Sequence, residues 1–325
     1  MNVNGFFQLL KKGNRSAMVA AIVNAVIAVI KGAAFIFTGN VAMFAETMHS
    51  LGDAANQFFV FTGSALSKRA PTERFPGGFG RLVHLVLLGA VLIVGIMAYE
   101  TIVEGYKHII HPTESKGLLI NVIILAAATC LEASVLFKAM KEILHETDTK
   151  ATGFDILAKS FANVKRGKPA TKLVFMEDSV ATLGGILAIA AVLLSHYTPF
   201  HQAEGIASIL IGIMMFLVVG KVFLDNARGV LGEADDEMEQ RIGELVINDP
   251  DVKDVGEIAV IKEGDELHVE LEIEINPAIS FAEADDIKDR IEEKILAQRG
   301  VTDVTIELDE DDGVSNWGRH ANEPR

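Results

Sequence analysis

Four polar side chains, Glu46, His49, Asp53 and Asn56, share the stretch Glu46-Thr-Met-His-Ser-Leu-Gly-Asp-Ala-Ala-Asn-Gln57. On a helix turning by about 100° per residue they fall within an arc of roughly 80°. His49 and Asp53 are four residues apart and lie one above the other on that face. A neutral imidazole nitrogen beside a carboxylate is a ligand pair for one transition-metal ion. The flanking sequence is apolar enough to enter a bilayer, where a lone carboxylate is costly, so the stripe must face protein, water or an ion. Two readings are open on these residues alone: a hydrogen-bonded network inside a helix bundle, or an ion site.

A second acidic feature, Phe175-Met-Glu-Asp-Ser179, opens another apolar run. The adjacent carboxylates of Glu177 and Asp178 diverge by about 100°, so one can face an ion while the other packs against a base or a water. Carboxylates near a helix N-terminus are favoured anyway, which is the competing account. Asn24 and Lys31 lie on one face of the first apolar run. Asn24 is expected to bond across helices, and Lys31 to snorkel or to pair with an acid; a proton or gate role is the alternative. Glu46, Asn56, Asn24 and Lys31 are thus candidate accessory groups within the membrane. Glu132 is a candidate to neutralise a lysine, and His84 to make an interhelical hydrogen bond. Arg81 and Asp225 are expected at the cytoplasmic boundary, as a salt bridge coupling bundle to tail. His108, His111, His196 and His201 fall in exterior loops, where solvation competes with a role in metal capture.

The elements that must carry these groups are legible from hydropathy and charge. Half of the 325 residues are hydrophobic, and the mean hydropathy is +0.32. A membrane helix needs roughly 20 apolar residues. Six runs qualify: Ser16–Phe37, Val41–Leu66, Leu82–Tyr106, Gly117–Phe137, Leu173–Ser195 and Ala203–Leu224. Basic residues alternate between connections, being concentrated before the first run, between the second and third, and between the fourth and fifth. The positive-inside rule then places both termini in the cytoplasm. The long basic loop 138–172 includes a short amphipathic stretch, Phe154–Val164, and the basic cluster Lys165-Arg-Gly-Lys168; solvation or a lipid-headgroup or tail contact accounts for these charges.

The charge splits sharply along the chain. Glu233 to Arg325 holds 29 acids against 9 bases, a net of −20, whereas Met1 to Gly232 has a net of +5. The acidic part reads as helix Glu233–Asn248, strands Val255–Lys262 and Glu266–Ile275 around a Gly264-Asp265 turn, helix Phe281–Arg299 and strand Val301–Leu308. This αββαβ order predicts a small antiparallel sheet with one face against two helices. The expected organisation is a cytoplasmic segment 1–15, a six-span all-α membrane bundle 16–232, an α+β cytoplasmic domain 233–309 and a disordered acidic tail 310–325. The single cysteine, Cys130, excludes an internal disulfide and a cysteine metal cluster. The N-terminus does not read as a signal peptide. Neither His-Glu-x-x-His nor Gly-x-Ser-x-Gly occurs, against an intramembrane enzyme.

Six spans, His49-x-x-x-Asp53 in the second, Glu177-Asp178 in the fifth and an αββαβ tail resemble the cation diffusion facilitator family. Thr38-Gly-Asn-Val41 and Phe79-Gly-Arg81 are similar to family members too, and the resemblance runs from about Ser16 to Leu308. Ala45 to Gln57 and Met176-Glu-Asp-Ser179 resemble the branch named for the ninth zinc transporter. The resemblance implies a homodimer in the lipid bilayer, a ferredoxin-like cytoplasmic domain, and efflux of divalent metal ions in exchange for protons. It carries the ligand roles to His49, Asp53 and Asp178. The family's remaining ligand position is Val174 here, with Glu177 as the candidate substitute. The resemblance implies zinc first; one imidazole among carboxylates is a harder ligand set than two of each, which brings in manganese, iron and cobalt as rivals. The ion is cargo, and no bound cofactor or nucleic-acid partner is expected. In the tail, a metal site at His268, Glu307 and Asp309 is expected to be absent or weak. A plasma or inner membrane is expected for a bacterial chain. A transport-inactive regulator that keeps the fold is the alternative function, with Val174 its main support.

Overall fold

The computed structural model of the chain describes residues 9–113, 115–153, 155–164, 169–264 and 266–317. Its elements are α1 (Arg15–Thr38), α2 (Val41–Ser67), α3 (Leu82–Ile110), α4 (Leu118–Glu146), α5 (Asp155–Asn163), α6 (Pro169–Tyr197), α7 (Ala203–Leu231) and α8 (Asp236–Ile247). They continue as β1 (Val252–Glu263), β2 (Glu266–Ile275), α9 (Phe281–Leu296) and β3 (Val301–Glu310). The chain divides into two compact units. One comprises Asn14–Thr62 and Leu87–Leu224; the other is chiefly Gly63–Val86 and the chain from Asp225 onward.

In the first unit, five long helices are apolar enough to cross a membrane: α1, α3, α4, α6 from Val174, and α7, with mean hydropathy between 1.9 and 2.5. The expected second span, α2, is 27 residues long but falls outside that set. Its polar stripe is what removes it, since Glu46, His49, Ser50 and Asp53 all sit in its middle. Outward side chains on the other helices are apolar, with Val29, Phe37 and Leu92 well exposed, as a lipid-facing exterior requires.

The link between α1 and α2 follows from two residues. Gly39 takes a left-handed φ of 70° and its N–H closes on the Phe35 carbonyl. The buried Asn40 then caps α2, its Oδ1 accepting from Met43 N at 2.7 Å. Helices lie close where residues are small. At the contact of α3 and α7, a Cβ on Gly105 would lie 2.7 Å from the Gly205 carbonyl oxygen, and one on Gly205 2.6 Å from that of Gly105. The basic loop is shorter than 138–172, because α4 runs on to Glu146. Lys138 and Lys141 belong to that extension, held by the buried Ala139, Met140, Ile143 and Leu144. Helix α5 forms within the expected amphipathic stretch, and Phe161 packs edge-on against Phe175. Phe154 and the cluster 165–168 lie outside the described residues.

In the second unit the αββαβ order holds, but the sheet is mixed, not antiparallel. Its order is β1-β2-β3, with β1 antiparallel and β3 parallel to β2. The α9 crossover returns the chain to the starting end of β2, so β3 must run the same way. Alternation along β2 buries Val269, Leu271 and Ile273 against Ile242 and Val246 of α8 and Ile287, Ile291 and Ile295 of α9. Asp265 of the expected turn lies outside the described residues; Gly264 has a φ of 73°. Residues 310–317 of the expected disordered tail take defined positions, and 318–325 lie outside the described residues. Strand β3 extends to Glu310, and Asn316 Nδ2 reaches Glu274 Oε1 at 3.1 Å. Trp317 packs against the sheet-and-helix core, over Gly243, where no side chain obstructs the ring. The backbone N–H of Trp317 donates to Asp254.

The chain ahead of α3 joins this unit. Arg81 was expected to pair with Asp225, but its guanidinium lies 3.1 Å from Glu263, at the end of β1, and Asp225 is exposed. Gly80 sits against the Glu263 carbonyl so closely that a Cβ there would collide with it. That approach brings Arg81 to Glu263 at the end of β1, with its guanidinium against Gly232.

Asp249, which ends α8, anchors α9. Its buried carboxylate accepts from Arg290 at 2.7 Å and from Lys294 at 2.7 Å. Burial alone would push this carboxyl up, but those hydrogen bonds outweigh it and hold it down at about 2, from 3.8. A depressed carboxylate contributes stability that is complete above the ordinary range and lost as pH falls through about 2. Asp249→Asn should therefore weaken the tail by about 2 kcal/mol at pH 7. Hydrogen exchange of the β2 amides in the full chain measures this, and the difference should shrink toward zero near pH 2. A difference constant with pH would assign the effect to packing.

Candidate metal site

Helix α2 brings its stripe to one side of the first unit. His49 Nε2 lies 3.5 Å from Asp53 Oδ2, one turn apart. That separation exceeds a hydrogen bond, and Nε2 is buried with no hydrogen-bond partner. Asp53 is less enclosed than His49, its side chain 36% exposed against 8%. The pair borders a cleft whose other walls include Gly52, Asn56 and Glu177, closed by Val94 and Met215. Gly52 sets the width of that cleft, since a Cβ there would lie 3.2 Å from Val94.

Helix α6 supplies the second acidic feature. Glu177 Oε1 accepts from Asn56 Nδ2 at 3.2 Å, which ties α6 to α2 beside Asp53. Asp178 has a buried carboxylate oxygen, Oδ2, with no hydrogen-bond partner among the described residues. A second cleft joins Asp53, Asn56, Glu177 and Asp178 with Asn24 and Val174. Val174 is 42% exposed and presents only methyl groups there. The buried His49 Nε2 and Asp178 Oδ2, without partners among the described residues, and a loose His–Asp pair are donor types that a cation can take. Among the described residues, no three His, Cys, Asp or Glu side chains stand close enough to enclose one ion.

Lys31 does not snorkel. It is fully buried and paired with two acids, Glu46 at 2.8 Å and Glu132 at 3.2 Å. Its third donor reaches Ser50 Oγ at 3.0 Å. Glu132 thus neutralises a lysine as its sequence position suggested, and Glu46 belongs to Lys31. Asn24 lines the second cleft. In the other unit, His84 Nδ1 lies 3.1 Å from Asn226 Oδ1, an interhelical bond.

The reading of single spans passed over Glu204. It is fully buried in the first turn of α7 and accepts from Ser115 Oγ at 2.7 Å. Ser115 in turn receives Asn40 Nδ2 at 3.3 Å. The available signal was one acid at the start of an otherwise apolar run. His108, expected in a loop, is buried at the end of α3, with Nε2 3.2 Å from the His201 carbonyl.

The tail candidates His268, Glu307 and Asp309 do not lie together. His268 lies between Glu270, at 3.3 Å, and Asp303, at 2.9 Å. Glu307 is opposite Glu272 and Asp309 opposite Glu274. Four and six residues along the strand separate Glu307 and Asp309 from the level of His268, about 13 and 20 Å, too far to share an ion.

Residues 17–231 match the family described as "Cation efflux transmembrane domain", and residues 234–311 match "Cation efflux protein, cytoplasmic domain". The chain belongs to the cation efflux, or cation diffusion facilitator, family. It is a multi-pass integral membrane protein of a transporter family, not an enzyme. It is similar to "Proton-coupled zinc antiporter SLC30A9, mitochondrial" of Mus musculus, 28% identical over 77% of this chain and 43% of the relative. The Homo sapiens protein of that name is 28% identical over 76% of this chain and 43% of the relative. "Cation-efflux pump FieF" of Cronobacter sakazakii is 22% identical over 91% of this chain and 92% of the relative. The chain spans less than half the length of the first two relatives.

Proposed function

We propose that the chain carries a divalent transition-metal ion out of the cytoplasm in exchange for protons. The observation that carries this reading is the His49–Asp53 pair, 3.5 Å apart in a cleft shared with Glu177. In the proposed cycle α2 is a sixth span and both termini are cytoplasmic. The ion enters from that side, loses water and binds His49, Asp53 and Asp178, with Glu177 in place of the absent ligand at Val174. His49 must be neutral to bind metal, so ion and proton compete for one set of atoms. Exposure of the site to alternate sides of the membrane turns that competition into exchange. Zinc leads the candidates, and the carboxylate-rich set leaves manganese, iron and cobalt in play. The tail is proposed to be a ferredoxin-like domain that pairs two chains as a homodimer.

Zinc uptake into proteoliposomes tests the exchange. The expected result is flux that depends on an imposed pH gradient and stops when the gradient is collapsed. Zinc flux indifferent to the gradient would remove the proton from the scheme. The apolar, accessible Val174 favours a second reading, a regulator without transport. Absence of flux for zinc, manganese, iron and cobalt alike would favour it.

A further inference from the structure

The group with the strongest unanswered electrostatics is a lysine. Lys31 sits in the middle of the first unit with no exposed surface. A buried charge persists only when paired and hydrogen-bonded. Lys31 meets this by donating all three of its protons, to Glu46 on α2, Ser50 on α2 and Glu132 on α4. Two carboxylates and a hydroxyl around one positive centre are the oxygen donors that a hard cation takes. The nest has more acid than Lys31 satisfies. Glu46 Oε1 and Glu132 Oε2 are buried without a hydrogen-bond partner among the described residues. Helix α6 makes room for this surplus through Gly184, where a Cβ would lie 2.8 Å from Glu46 Oε1.

The nest is also one turn from the metal pair. Glu46 precedes His49 by three residues and Ser50 follows it directly. The segment of α2 that carries His49 is therefore gripped from α1 through Lys31, and α4 is drawn to the same ammonium.

We propose that Lys31 is a tethered cation: it permanently fills a carboxylate nest made by Glu46, Ser50 and Glu132, so that this nest, one turn from the His49–Asp53 cleft, is closed to a mobile ion. Glu46 and Glu132 are then ligands of Lys31 and not of the cargo. Lys31 is a specificity-determining and positioning residue. It denies the bundle a second, harder ion site and holds the α2 turn in register. The inference rests on the proposed transport site for the meaning of the mobile ion, but its test is separable.

The test is metal stoichiometry of the purified full chain, using manganese and zinc separately in equilibrium dialysis. Lys31→Met keeps the length of the side chain and removes its charge. It should bind about one further manganese ion per chain than the native protein, because two buried carboxylates are left without a cation. Adding Glu132→Gln to Lys31→Met should remove that extra ion, and Lys31→Arg should never show it. A well-folded Lys31→Met chain with the native stoichiometry overturns the proposal. Should Lys31→Met fail to fold, Glu132→Gln alone decides, since it leaves a matched Lys31–Glu46 pair. Native metal content supports the tethered cation, and loss of a bound ion makes Glu132 a cargo ligand and overturns it. If the native chain binds no ion while Lys31→Met gains one, the transport-site reading fails and this one stands.

Discussion

Metal flux through Asp53→Ala is expected to fall by about 100-fold or more, because the proposed site loses a ligand outright where even supporting groups are worth 10- to 100-fold. Asp53 is the more exposed partner of the pair and lines both clefts. Its removal leaves the cargo with one imidazole on α2, while the polar contacts that hold the helix are untouched. Those contacts are the Lys31 pairing at Glu46 and Ser50 and the Asn56–Glu177 hydrogen bond. The variant should therefore insert and melt as the native protein does. Uptake assays in proteoliposomes, read beside a melting curve, check both halves. Undiminished flux would move the ion away from the His49–Asp53 pair altogether.

The second large effect lies at a glycine. In lipid, apolar helices gain little by leaving the hydrocarbon, so close van der Waals packing must hold them together. Helices α3 and α7 meet at Gly105 and Gly205, each against the other's carbonyl. Gly205→Ala puts a methyl group 2.6 Å from a backbone oxygen that has no rotamer to escape into. A cost of about 1–3 kcal/mol is expected, as for overpacking elsewhere, and Gly205→Leu should yield no folded chain. Gly77→Ala is the control, since a Cβ there meets nothing within 4 Å. Equal melting temperatures for Gly205→Ala and Gly77→Ala would show that the two helices do not depend on this approach.

Local features were legible where one residue or one period decides them. Glu266–Ile275 is the strand that strict alternation demands, and the start of α2 follows from Gly39 and Asn40. The His49–Asp53 pair follows from helical geometry alone. Features that depend on distant partners were not legible. Lys31 and Glu132 are 101 positions apart, so each could be read as needing a partner without the partner being named. Arg81 was assigned the acid nearest the membrane boundary, while a close approach through Gly80 delivers it to Glu263. Periodicity locates β3 but carries no direction, which is why a mixed sheet was read as antiparallel. Hydropathy marks where α4 stops being apolar, whereas the helix continues as long as one face stays buried. The acidity of 309–312 suggested disorder, and the residues beyond it override that.

Trp317 is the chain's single tryptophan, and its indole lies on the core of the α+β domain. Emission excited selectively at the red edge of protein absorbance thus reports on that domain alone, with no contribution from the membrane helices. A blue-shifted spectrum that moves to the red on titrating metal would register release of the chain's end from the domain. Changes confined to the clefts beside His49 and Asp53 would leave the same signal still. One optical channel in the unlabelled protein therefore separates events in the tail from events in the bilayer.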